Sequence, residues 1–113
     1  MSKQSDKPTA RADVNDPESI ESKLNQECAR VDWKEITPHF ARGHVINVDP
    51  SLDLIAVAAA FAKDRQDRVK EWLDAALVER ANDTHARRWE EIQPDMWAVV
   101  VRPWVLVQEI PAE

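Results

Sequence analysis

The stretch MWAVVVRPWVLVQ, residues 96–108, decides how this chain folds. Valine and tryptophan suit a pleated, half-buried surface, so the segment reads as strand by propensity. One alternating set holds Trp97, Val99, Val101, Val105 and Val107, and the other holds Ala98, Val100, Arg102, Trp104 and Leu106. A strand with one wet face alternates apolar with polar, yet only Arg102 and Gln108 interrupt this one. Both of its sides must therefore be covered. Pro103 cannot donate to a ladder, so a bend, a bulge or an edge position is expected there. No Asn-Gly type pair stands in the segment, which argues against a tight hairpin at Pro103.

Upstream of this ribbon, Asn82-Asp83 is a helix opening, and Ala86, Trp89 and Ile92 follow at helical spacing up to Pro94. Residues 77–81 form a short strand candidate. Further back, Leu54, Ala58, Phe61 and Ala62 make an apolar helical stripe that Asp49-Pro50 would open. The stripe resumes at Val69, Trp72, Leu73 and Ala76, which favours two helices meeting near Asp64, with Asp64 as the cap of the second, over one long helix. The β-branched run at residues 44–48 predicts a strand. Asp32 and Glu35 have capping-box spacing, so a helix begins near Trp33, turns Trp33, Ile36 and Phe40 inward and ends at Gly43. Pro38 removes one backbone donor and should leave that helix short or kinked. Asp16-Pro17 opens a first helix whose face is Ile20, Leu24, Cys28 and Val31. Residues 1–15 are polar without apolar period and are expected to be a disordered tail, leaving residues 16–113 as a single domain.

These elements predict an α+β domain: four to five helices packed on a small, mainly antiparallel sheet built from strands near Val45, Val78 and residues 99–107. A winged-helix-like layout is the runner-up, because the element order from Trp33 onward parallels it. The segments DWKEI, HFARGHVINVDPSLDL, VKEWL and above all ARRWEEIQPDMWAVVVRPWVLVQE resemble an uncharacterised bacterial family, domain of unknown function 2288. The likeness runs from Leu24 to Glu109. It implies a small bacterial domain without an assigned activity. The family pattern implies a small residue where Arg102 stands and glycine where Ala76 stands, and Pro38 departs from it as well.

Composition excludes several classes. With 43% hydrophobic and 32% charged residues, the chain of 113 residues is in the range of folded domains. Its net charge of -6 opposes nonspecific binding to nucleic acid or an anionic membrane. No apolar run approaches the length of a membrane span. The single cysteine, Cys28, forms no internal disulfide and, with no signal-like leader, points to the cytoplasm. One glycine, Gly43, leaves no phosphate-cradling loop, so no nucleotide cofactor is expected.

The chemical candidates are sparse. His39, His44 and His85 lack metal-site spacing, and Cys28 sits on an apolar face, so neither a metal nor a catalytic thiol is expected. Helix capping explains Asp49, and complementing the helix dipole explains Asp53. Trp33, Trp72 and Trp89 read as core. A candidate interaction patch gathers Arg65, Arg68, Arg102 and Trp104: the first two lie in a basic stretch, and the last two share a face of the ribbon. The leading expectation is a non-enzymatic interaction module, with a protein partner or self-association as a homodimer, because the doubly apolar ribbon offers more surface than short helices hide. A nucleic-acid-binding regulator is second, requiring Arg65 and Arg68 to be exposed together. An enzyme is third, requiring a cleft that gathers Arg42, His44 and Asp53.

Overall fold

The computed structural model describes residues 19–111. The expected tail at residues 1–15 and the helix opening at Asp16-Pro17 lie outside the described residues. Helix α1 (Ile20–Glu27) begins at Ser19, whose side chain accepts from the Ser22 amide at 2.9 Å. It stops at Cys28, and Ala29–Val31 is a strand, β1, where the apolar spacing predicts more helix. Cys28 keeps the four-residue spacing of Ile20 and Leu24 and is buried with Leu24. Val31 instead packs with a different cluster, against Trp33 and Ile36.

Helix α2 (Trp33–Ala41) carries the capping box: the Glu35 amide donates to Asp32 and the Asp32 amide donates to Glu35, both at 3.0 Å. Pro38 lies inside it, and the Thr37 hydroxyl donates to the Trp33 carbonyl at 2.8 Å. Gly43, at φ 77°, closes the helix and leads into β2 (Val45–Val48). Asp49 caps no helix. Its carboxylate accepts from the amide and hydroxyl of Ser51 in a turn, and Asp53 caps α3 (Leu54–Ala62) by accepting from Ile55 and Ala56.

Asp64 also has another role than the expected one. At φ 56° it ends α3, with the Arg65 amide donating to Ala60 and the Asp64 amide to Phe61; α4 (Gln66–Asp74) then begins without a side-chain cap. The same closing pattern recurs after α4, where Ala76 stands at φ 60° and Leu77 donates back to Trp72. This left-handed site is the position where the family pattern implies glycine. β3 (Val78–Arg80) follows, and α5 (Asp83–Ile92) opens on a reciprocal Asn82–His85 box.

The decisive ribbon is two strands, β4 (Met96–Val101) and β5 (Trp104–Glu109), paired antiparallel with Val101 opposite Trp104 and Met96 opposite Glu109. The tight hairpin that the sequence argues against therefore exists. Its turn is Arg102-Pro103 with a cis peptide bond, a turn class that uses proline in place of the glycine or asparagine of common hairpins. Folding back also changes the faces: Val99 and Val101 share a side with Trp104 and Leu106, not with Val105 and Val107.

The sheet has the order β1-β4-β5-β2-β3, antiparallel except where β2 runs parallel to β5. On one face Ile46, Val48, Val78, Val99 and Leu106 pack against Leu24 of α1 and Leu54, Ile55 and Ala58 of α3, with Trp72 of α4 at the margin. On the other, Val45, Met96, Ala98, Val105 and Val107 pack against Trp33 and Ile36 of α2 and Trp89 of α5. The fold is α+β, with five helices among the described residues and the sheet between two helical layers rather than a wing beside a helix bundle. Gln108, one of the two polar residues of the ribbon, is buried and donates to the Asp49 and Leu52 carbonyls at 3.0 and 2.8 Å. It ties the ribbon to the loop that enters α3.

Candidate interaction groove

The tip of the β4–β5 hairpin lies across from the α3–α4 corner, and the space between them is a groove of about 400 Å³. Phe61, Val69, Leu73, Val101 and Trp104 supply its apolar lining, and Asp64, Arg65, Lys70 and Arg102 its charges. The local cause is the left-handed turn at Asp64. The α4 that follows it contributes no buried residue and leaves Leu73 48% exposed. An exposed leucine beside a half-buried tryptophan is an apolar surface with no internal partner.

Three of the four patch residues expected from sequence thus meet in one place: Arg65, Arg102 and Trp104. Arg68 lies next door, in a smaller cleft of about 160 Å³ with Glu21, Lys63 and Trp72, and Arg65 lines both. The Arg68 guanidinium sits over the Trp72 ring at 5.0 Å, and the Arg80 guanidinium over the Trp104 ring at 5.3 Å. His44 meets Trp104 edge-on at 6.2 Å. Lys63 pairs with Glu21 at 3.2 Å and Lys70 with Asp74 at 3.0 Å. Among the described residues, Arg65 and Arg102 have no ion-pair partner. Sequence reasoning missed Arg80, Phe61 and Leu73: the sheet order brings Arg80 of β3 across β2 to the start of β5, and the α3–α4 corner brings Phe61 and Leu73 to the hairpin tip.

The cleft that an enzyme would need does not form from its named residues. Arg42 and His44 precede β2, whereas Asp53 lies beyond the other end of that strand and is engaged as the α3 cap. Among the described residues no group of three or more His, Cys, Asp or Glu side chains could hold a metal ion. Among them, too, no helix is long and apolar enough to cross a membrane.

A second polar cluster closes the opposite end of the ribbon. Glu109 accepts from the Arg88 guanidinium through two bonds, at 2.8 and 2.9 Å, and from the indole of the fully buried Trp89 at 2.7 Å. The Arg88 bond, with help from Trp89 and the Arg88 and His85 charges, holds the Glu109 carboxyl below its ordinary range, although burial opposes the shift. Asp49 is likewise lowered, by its bonds from Ser51. The groups around Glu109 satisfy one another, so the cluster's role is structural.

The profile of the family described as "Protein of unknown function (DUF2288)" matches residues 19–109. The chain belongs to that family. Among solved structures, the family domain here is similar to the NMR solution structure of PA1075 from Pseudomonas aeruginosa: 36% sequence identity, a TM-score of 0.75, and coverage of 91% of this chain and 95% of that one. No curated protein matches it. The groove therefore has to be read from its own chemistry.

Proposed function

We propose that this domain is a non-enzymatic interaction module that docks a partner in the groove between the hairpin tip and the α3–α4 corner. The observation that carries this reading is the meeting of two guanidiniums without ion-pair partners among the described residues, Arg65 and Arg102, with an apolar lining that includes Trp104 and the exposed Leu73. Aromatic and arginine side chains at the centre of an apolar patch are the residues that most often dominate binding energy. The single cysteine, Cys28, which is buried, and a bacterial structural relative accord with a bacterial, cytoplasmic protein. The test compares what copurifies with the tagged wild-type protein and with an Arg65→Glu/Arg102→Glu double variant of unchanged circular dichroism. A partner recovered with the first and lost with the second is expected. Identical sets of copurifying molecules would contradict the reading.

Self-association is a second reading, with a smaller surface behind it than the doubly apolar ribbon suggests. That ribbon is covered by the chain's own helices. What remains is Val100, 47% exposed opposite Val105 near the hairpin tip. A homodimer joined there should shift to a monomer on Val100→Lys in sedimentation velocity. A wild-type protein that stays monomeric at high micromolar concentration would end this reading.

A further inference from the structure

We infer that the groove takes an acidic peptide segment carrying an apolar anchor residue, an inference that rests on the groove being the interaction site. The charge distribution gives the sign of the partner. The chain as a whole has a net charge of -6, yet the groove and its adjoining cleft are lined by Lys63, Arg65, Arg68, Lys70 and Arg102 against only Glu21 and Asp64. Lys63 and Lys70 are neutralised by Glu21 and Asp74, and Arg68 is held over Trp72. Arg65 and Arg102 are left to meet carboxylates, which planar guanidiniums bind through paired hydrogen bonds. In the same groove, Phe61, Val69 and Leu73 form a seat for an aliphatic or aromatic side chain. Because Arg65 lines both cavities, the tract is longer than one side chain and suits an extended segment.

Nucleic acid fits this site less well. Single strands are held by bases stacked on free aromatic faces along a basic track. Here each tryptophan near the site already carries an arginine over its ring, Arg80 on Trp104 and Arg68 on Trp72. An acidic chain also repels the rest of a phosphate backbone. A second copy docking symmetrically would set these cations against themselves, and an asymmetric contact would not close.

The experiment is selection of a random peptide library on the immobilised full-length protein, followed by titration of enriched peptides watched by amide NMR. The expected peptides carry Asp or Glu on both sides of a Leu, Ile, Phe or Trp and move the signals of Arg65, Leu73 and Trp104. Arg65→Glu/Arg102→Glu should weaken them at least about tenfold, and Leu73→Ser, at an exposed position that the core does not need, should weaken them several-fold. Enriched peptides that are neutral or basic but still groove-dependent would overturn the acidic assignment and leave the docking site standing. Peptides that bind both variants as well as wild type would overturn the site itself. Tighter groove-dependent binding of oligothymidylate than of any peptide would replace the inference with nucleic acid, and a selection without enrichment would reject it.

Discussion

The two ends of the β4–β5 hairpin differ in how their side chains are satisfied. At the base, Glu109 is bound by Arg88 and Trp89, Gln108 is bound to the loop before α3, and the Ile110 amide donates to the Asp95 carbonyl. At the tip, Arg102 has no ion-pair partner among the described residues, Val100 is exposed, and Trp104 is half-buried under Arg80. Buried polar groups are costly when left unpaired, so the base is an end that the fold needs closed. The tip retains apolar surface and charge that folding does not use, which is the condition for using them in binding.

The largest expected effect comes from opening the base. Glu109→Ala leaves the buried Trp89 N–H without its acceptor, so stability should fall by about 2–3 kcal/mol, read as a lower urea midpoint. A smaller change isolates the charge. The Glu109 carboxyl is held low in the fold, chiefly by the bond from Arg88, so its contribution is complete above the ordinary glutamate value and is lost as pH falls through the lowered folded value. Glu109→Gln should therefore lose stability at neutral pH and show a flatter decline on the acid side, measured by thermal melts against pH.

Intermediate in size is the backbone site after α4. Ala76 adopts φ 60°, where a Cβ is disfavoured, so Ala76→Gly should raise stability by about 0.5–1 kcal/mol. The matching control is Gly43, at φ 77°, where a Cβ would meet no atom within 4 Å; Gly43→Ala should destabilise through the backbone alone. Smallest are the tip changes. Arg65→Ala and Arg102→Ala should alter the urea midpoint by no more than about 0.5 kcal/mol of stability, even where they abolish binding in the groove. A tip variant that destabilised as much as Glu109→Ala would erase the contrast between the ends.

Much of this is legible in the residues. The doubly apolar pattern of residues 96–108 requires covering on both sides, and α1 and α3 cover one side while α2 and α5 cover the other. The Asp32–Glu35 box, the Asn82 cap and the helix break near Asp64 lie where the spacing puts them, although Asp64 ends a helix and begins none. The hairpin is hidden because its turn uses proline where the familiar signals are glycine and asparagine. β1 is hidden because Cys28 continues the helical spacing past the end of α1. Of the candidate site, Arg65, Arg102 and Trp104 are visible as residue types, with Arg68 beside them. Their assembly with Phe61 and Leu73 depends on the β4–β5 hairpin, which no familiar turn signal announces.

Underlying both the fold and the contrast between the hairpin ends is a ribbon that one chain by itself shields on both sides. Native-state hydrogen exchange of dilute, monomeric protein tests this most directly. The amides of Ala98, Leu106 and Val107 should exchange only through global unfolding, at rates independent of protein concentration. Fast exchange at those three amides, or protection that appears only as the concentration rises, would contradict it.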